Sequence, residues 1–159
     1  MKNELILKKD LLDRFVLQVK EKYPKKAFGY FISSEVGGQP DDFIMFKDDV
    51  RDEWRTTFEK YGDYYVRNKD AGFLATDEEM YEVHKELEMR GKYIVGVYHS
   101  HQRHPAIFST VDIELHPSEE LWHLIISLRN IDMPQIKAFA IKENLPVELK
   151  IRTLNRVHE

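Results

Sequence analysis

Two histidines, a serine and an aspartate lie between positions 99 and 112 of the chain, in the spacing H-x-H-x7-S-x2-D. The six residues before His99 are apolar, aromatic or β-branched, which predicts a strand that runs into the first histidine. Side chains two positions apart on a strand share one face, so this strand presents His99 and His101 side by side. Ser109 to Asp112 is typical of the first turn of a helix, and we expect that turn to bring Asp112 back to the end of the strand.

His99, His101 and Asp112 form a ligand set of the type that suits zinc. Imidazole nitrogens and carboxylate oxygens are both zinc ligands, and three protein ligands leave the fourth tetrahedral position open for water. Because a structural site would supply a fourth protein ligand, the pattern indicates a catalytic site. Zinc lowers the pKa of its bound water to about 7, which makes hydroxide available at neutral pH.

Each half of the pattern also has a simpler explanation. Ser109-x-x-Asp112 resembles a helix capping box, although capping and metal ligation are compatible. An isolated H-x-H on a strand is more often incidental, and only the conjunction of the two halves favours a metal site. His104 and His116 flank the pattern and are interpreted as residues at the rim of the site.

The pattern resembles the JAMM motif of the MPN-plus (JAB, Mov34) metalloprotease family, and the resemblance covers most of the chain. It implies one α/β domain over residues 1–159, with a mixed, curved β-sheet flanked by helices and a layering like that of cytidine deaminases. It also implies that His99, His101 and Asp112 bind Zn²⁺ and that Ser109 helps to hold the substrate oxyanion. The implied reaction is hydrolysis of a peptide or isopeptide bond, often at the C-terminal tail of ubiquitin or of a ubiquitin-like sulfur-carrier protein.

The chain departs from the family pattern at the catalytic base. Family members carry a glutamate in a segment like P-x-E-x-x-G, and the matching segment here begins at Pro24 and ends at Gly29 with Lys26 at the glutamate position. A positioned base contributes about 100-fold to 10,000-fold to the rate. Three explanations are open. The protein is a weak or inactive zinc binder, another carboxylate such as Glu114 is the base, or Lys26 itself is the base. A nearby dication and desolvation would both lower the pKa of Lys26. A solvated surface role for Lys26 is equally open.

Composition limits the remaining functions. The 159 residues, with 42% hydrophobic and 33% charged residues, suit one globular domain. A net charge of −4 and only short lysine clusters do not favour nucleic-acid binding. The absence of cysteine excludes disulfides, thiolate ligands and the zinc deaminase site. The sequence contains no Gly-rich phosphate loop, so we expect no organic cofactor. The apolar stretch near the N-terminus is too short for a signal peptide or membrane span, so we expect a cytoplasmic protein without membrane contact.

The remaining pattern predicts the order of helices and strands. A first helix is expected from an Asp10 cap to the residue before Pro24, and a second from Thr76 to Gly91, with His84 in the core. Strands are expected at residues 27–33, 43–47, 121–128, 135–141 and 147–154. The aromatic-rich segment 48–75 is interpreted either as a lid or substrate groove, or as a simple cover of one sheet edge.

Three functions are compatible with these features. The leading one is a zinc-dependent hydrolase of the JAMM type. The alternatives are a non-catalytic MPN-like binding module and a metalloenzyme whose altered base serves other, biosynthetic chemistry. The sequence does not indicate an oligomeric state.

Overall fold

The computed structural model describes residues 3–47, 76–108 and 119–154. Within these residues the chain forms two helices and one seven-stranded sheet. The helices are α1 (Lys9–Lys22) and α2 (Asp77–Arg90). The strands are β1 (Glu4–Lys8), β2 (Phe28–Ser33), β3 (Asp42–Met45), β4 (Tyr93–His101), β5 (Trp122–Ser127), β6 (Gln135–Lys142) and β7 (Leu145–Leu154). The proposed lid or cover at 48–75 lies outside the described residues.

The sheet is mixed, with the strand order β1-β7-β6-β5-β4-β2-β3. β4 runs parallel to β5 and β1 runs parallel to β7, whereas the other neighbouring strands are antiparallel. The predicted α/β domain with a mixed sheet is therefore confirmed. β4 lies between β2 and β5, so the end of β4 has a neighbouring strand on each side.

Helix α1 covers one face of the sheet. It packs through Leu11, Phe15 and Val19, all buried, into a core that includes Phe31 and Tyr98. The Phe15 ring meets the Tyr98 ring edge to face, with 4.8 Å between centroids. This periodic burial is the amphipathic pattern from which the helix was predicted.

Helix α2 covers the opposite face. It packs through Val83 and Leu87 against a second core cluster that contains Phe28, Ile32 and Val97. Because side chains alternate along a strand, the residues of β4 that follow Val97 at intervals of two project to this same side. His99 and His101 therefore lie on the α2 side of the sheet.

The ends of α2 agree with the sequence, but one of its side chains does not. Thr76 Oγ1 accepts a hydrogen bond from the Glu79 backbone N–H at 3.0 Å, and Gly91 ends the helix with φ 66°. The expectation that His84 lies in the core is wrong, because this residue is exposed and its Nε2 lies 3.4 Å from the Tyr30 hydroxyl. His84 follows Val83 by one position, which rotates it by about 100° away from the packed stripe.

Two features at the N-terminal end differ from expectation. Asp10 does not cap α1: the helix begins at Lys9, the N-cap residue Lys8 makes no side-chain cap hydrogen bond, and Asp10 lies in the first turn. Strand β1 was not predicted, and it buries Leu5 and Leu7 while pairing with β7. Its pairing partner is far away in sequence, so no local turn signal marks this strand.

Gly29 sits where two strands and a buried tyrosine meet. A Cβ atom at this position would lie 1.9 Å from the Ile44 carbonyl oxygen of β3 and 2.9 Å from the Tyr98 hydroxyl. That hydroxyl donates a hydrogen bond to the same Ile44 carbonyl at 3.1 Å. The glycine of the P-x-E-x-x-G-like segment is thus required by packing, because any side chain would push β3 away from β2.

Candidate metal centre

The end of β4 brings two imidazole nitrogens together in a buried position. The Nε2 atoms of His99 and His101 are 3.1 Å apart, and each residue is 3% exposed. Two zinc–nitrogen bonds of about 2.0–2.1 Å at a tetrahedral angle would place their nitrogens about 3.3 Å apart. The observed separation fits a shared zinc ion, and the two predicted histidine ligands are brought together as expected.

A backbone carbonyl fixes the orientation of the second histidine. His101 Nδ1 lies 2.8 Å from the Pro105 carbonyl oxygen. Because a carbonyl oxygen only accepts, Nδ1 must carry the proton, and the lone pair of the neutral ring is then on Nε2. Metal-binding histidines commonly donate their second N–H to a carbonyl or carboxylate in this way.

The short distance between the two Nε2 atoms limits what lies between them. Two nitrogen lone pairs at 3.1 Å repel each other unless a proton or a cation lies between them. With a neutral His101 protonated on Nδ1, a proton on His99 Nε2 would satisfy this contact, and a metal bound by both nitrogens would take the place of that proton.

The walls beside the histidines are apolar. Residues paired across the sheet share a face, and His99 pairs with Phe28 of β2 and with Ile125 of β5. Both neighbours are 0% exposed, and Phe28 stacks on Phe46 with 5.3 Å between ring centroids. Such walls lower the local dielectric constant, which strengthens the interaction of a bound cation with its ligands.

The predicted third ligand and oxyanion residue lie beyond the described part of the chain. Asp112 and Ser109 fall within 109–118, as do His116 and Glu114. In the residues that the structure describes, no group of three metal-ligating side chains is found. The roles of Asp112 and Ser109 stay predictions.

The loop after β4 is attached to β5 and β6 by contacts that the sequence pattern did not reveal. Ser127 Oγ donates a hydrogen bond to the His104 carbonyl, and the Ala106 backbone N–H donates one to Gln135 Oε1 at 2.8 Å. The Phe108 ring stacks on Phe139 with 5.6 Å between centroids. Phe108 and Phe139 share a core cluster with Ile125, so these contacts hold the described loop, as far as Phe108, on the face of the sheet that carries His99.

A second set of contacts fixes the segment that carries the replaced base. The Ala27 backbone N–H donates to Ser100 Oγ at 2.8 Å, and the Ser100 N–H donates to the Ala27 carbonyl at 2.8 Å. Ala27 and Ser100 are both 0% exposed. Lys26 is half-buried and directly precedes this pair, so its backbone lies beside the end of β4. The two roles expected for Lys26, as the base or as a solvated surface residue, stay predictions.

The chain has a mixed sheet between two helices, with two histidines at the end of an inner strand. This arrangement is that of a JAB/MPN domain. The sequence matches the family described as prokaryotic homologs of the JAB domain over residues 8–142, and the chain belongs to that family. The expected family membership is confirmed.

Three solved structures share the fold. A Desulfitobacterium hafniense protein known from its solution structure superposes with a TM-score of 0.70 at 21% identity, covering 97% of this chain and 95% of that one. A Salinibacter ruber protein has a TM-score of 0.60 at 21% identity, covering 100% and 94%. A JAB1/MPN domain protein from Archaeoglobus fulgidus has a TM-score of 0.54 at 14% identity, covering 94% and 98%. At these identities the likeness concerns the fold alone.

Two further comparisons give negative findings. The curated proteins contain no significant match to this sequence. Neither α1 nor α2, the two helices of the described ranges, is long and apolar enough to cross a membrane.

Proposed function

We propose that this protein is a zinc-dependent hydrolase of the JAMM type, with His99, His101 and Asp112 as the zinc ligands. The proposal rests mainly on one observation: the two buried Nε2 atoms lie 3.1 Å apart, at a separation that suits one metal ion. Family membership supports it, and so does the carbonyl that holds His101 in the metal-binding tautomer. Zinc bound here would polarise a substrate carbonyl and activate water.

In this proposal, separate residues bind the metal, stabilise the transition state and accept the proton. His99 and His101 would hold the metal, on the face of the sheet that also carries Phe28 and Ile125. Ser109 donates a hydrogen bond to the oxygen that becomes negative in the transition state, which is the usual role of such a donor. The proton of the attacking water goes to Lys26 or to a carboxylate such as Glu114.

The proposed substrate is a peptide or isopeptide bond at the C-terminus of a ubiquitin-like or sulfur-carrier protein. This part of the proposal comes from the family resemblance.

The lysine at the base position favours a second candidate, a non-catalytic binding module or an enzyme with different, biosynthetic chemistry. Lys26 directly precedes the Ala27–Ser100 pair, and by the family resemblance it takes the position where the family has a glutamate. A positioned base is worth about 100-fold or more, so its loss can remove hydrolysis while leaving the metal in place.

An assay of lysine variants separates these candidates. Wild type, Lys26→Glu and Lys26→Ala are tested on a ubiquitin-like protein with a C-terminal peptide extension, with zinc content measured in each sample. A degenerate hydrolase gains about 100-fold or more with glutamate and changes little with alanine. If Lys26 itself takes the proton, both variants lose activity on the native substrate.

The neighbouring lysine provides the control. Lys25 is exposed and adjacent in sequence, so Lys25→Glu introduces the same charge change without placing it at the base position. If all variants bind zinc and none cleaves the substrate, the hydrolase proposal is refuted and the binding role is supported. An equal gain from Lys25→Glu would show that the effect is a general one of surface charge.

A further inference from the structure

A row of three polar residues crosses the sheet beside the histidine pair. His101 of β4 pairs with Ser127 of β5, and Ser127 pairs with Gln135 of β6. Because residues paired across a sheet share a face, the three side chains lie on the α2 side of the sheet. Only the strand register brings Ser127 and Gln135 next to His101, so the sequence pattern did not mark them as residues of the site.

Gln135 contacts the same peptide group that binds the ring of His101. Its Oε1 accepts the Ala106 N–H at 2.8 Å. The carbonyl of that peptide belongs to Pro105, and its oxygen lies 2.8 Å from His101 Nδ1. Both hydrogen-bonding groups of one planar peptide are thus occupied, the N–H by the glutamine and the carbonyl by the histidine. A single peptide group therefore links Gln135 to His101.

A tight turn holds this peptide as well. The Ile107 N–H donates to the Pro105 carbonyl at 2.8 Å, which closes a three-residue turn centred on Ala106. A carbonyl oxygen has two lone pairs, so it can accept from both Ile107 and His101. Ala106 is 1% exposed, so water has little access to its N–H. Gln135 therefore supplies an acceptor that solvent does not readily replace.

The hydrogen bonds along this path reinforce one another. When a peptide N–H donates to an acceptor, its carbonyl becomes a stronger acceptor, because hydrogen bonds in a chain polarise each other. A stronger and well-oriented Pro105 carbonyl favours the proton on His101 Nδ1. The lone pair of the neutral ring is then on Nε2, the atom that faces His99.

We propose that Gln135 is a positioning residue of the metal centre: it holds the Pro105–Ala106 peptide so that His101 keeps its proton on Nδ1 and presents Nε2 to zinc. The inference rests on the zinc site of the proposed function. Gln135 acts through this peptide and not by binding the metal. Its effect is therefore expected on the tautomer of His101 and on the affinity for zinc.

Two substitutions of Gln135 in the full chain test this role. Gln135 is exposed, so neither substitution disturbs the core. Gln135→Met keeps the length of the side chain without an oxygen acceptor. Loss of a group behind a metal-binding histidine weakens metal binding about 10-fold to 100-fold, and we expect about 10-fold because one peptide lies between. Gln135→Glu keeps the acceptor and is expected to bind zinc at least as tightly as wild type. Competition with a chelator of known affinity measures the zinc affinity.

The tautomer of His101 gives a readout that a general loss of stability would not change. Long-range proton–nitrogen NMR spectra of the metal-free chain, recorded at about pH 8 where histidine is neutral, show which ring nitrogen carries the proton. Wild type and Gln135→Glu are expected to carry it on Nδ1, whereas Gln135→Met is expected to show a mixture of the two tautomers.

Lys137→Gln is the matched control. Lys137 lies two positions along β6 from Gln135, on the same face, and pairs with Ile125. Its substitution changes the charge by the same amount as Gln135→Glu does. We expect it to keep the tautomer of wild type and to bind zinc within about 3-fold of wild type.

The proposal is overturned if Gln135→Met keeps the tautomer of wild type, or if it binds zinc as tightly as a wild type that does bind zinc. It is also overturned if Lys137→Gln changes either quantity as much as Gln135→Met does. Failure of the proposed function gives a different result, because wild type then takes up no zinc. The tautomer measurement is made without metal and still decides in that case whether Gln135 positions His101.

Discussion

The hydrogen bonds between Ala27 and Ser100 connect the base segment to the metal strand, and Ser100→Ala removes one of them. In the native protein Ser100 Oγ accepts the Ala27 N–H at 2.8 Å, and both residues are 0% exposed. The substitution leaves the backbone bond from the Ser100 N–H to the Ala27 carbonyl in place. It therefore creates one buried N–H that has lost its acceptor, with little change in side-chain volume.

The expected cost follows from that single group. Leaving a buried donor unsatisfied costs about 1–3 kcal/mol, a large share of the about 5–15 kcal/mol by which a typical domain is stable. For a chain of this length each kcal/mol corresponds to about 2–4 °C in the melting temperature, so we expect a fall of about 2–12 °C. Thermal unfolding followed by circular dichroism measures it.

An exposed serine provides the comparison. Ser34 bonds to Asp41 on the surface of the hairpin, and Ser34→Ala is expected to change the free energy of unfolding by about 0.5 kcal/mol or less. The reasoning is refuted if Ser100→Ala melts within about 1 °C of wild type, or if Ser34→Ala is equally destabilising. A stable Ser100→Ala variant would mean that the hydrogen bond from the Ala27 N–H to the Ser100 side chain contributes little to stability.

Three further predictions concern packing and pH. Gly29→Ala would place a Cβ 1.9 Å from a backbone carbonyl oxygen of β3, so urea unfolding should show a free energy of unfolding lower by about 3 kcal/mol or more. Gly37→Ala, in an open turn with φ 66°, should lower it by only about 1 kcal/mol. Burial raises the pKa of Tyr98 well above 10.0. The stability that its neutral phenol provides is lost as the pH rises above 10.0 and through this raised pKa. The melting temperature of Tyr98→Phe should therefore fall less at alkaline pH than that of wild type. Burial raises the pKa of Asp41, but hydrogen bonds from Lys92 and a neighbouring serine lower it more, so that the pKa lies below 3.8. The stability that the ionised Asp41 provides is therefore lost as the pH falls from 3.8 through this lowered pKa. The melting temperature of Asp41→Asn should fall less on acidification than that of wild type.

The elements with strong local patterns were predictable from the sequence. Five strands lie within two residues of their predicted bounds, because alternation and turn residues mark them locally. The apolar stripe of α1 and the Thr76 and Gly91 boundaries of α2 were equally visible. The proximity of His99 and His101 was predictable because two positions on a strand share a face.

Features that depend on distant residues were not predictable. Strand β1 exists because β7 pairs with it, and His84 is exposed because α2 packs through Val83 and Leu87 rather than through the side that carries His84. The Pro105 carbonyl that orients His101, and the Gln135 side chain that holds the loop after β4, are brought into place only by the tertiary fold. No spacing rule in the sequence specifies such contacts.

Zinc binding tests the central claim most directly. Protein purified without chelator is analysed for metal, and about one zinc ion per chain is expected, with a release of protons on binding. His99→Ala, His101→Ala and Asp112→Ala should each lose the metal, whereas His84→Ala, which changes an exposed histidine on α2, should keep it. A wild-type protein that takes up no zinc, or zinc content that is unchanged in the His99→Ala and Asp112→Ala variants, would contradict the account.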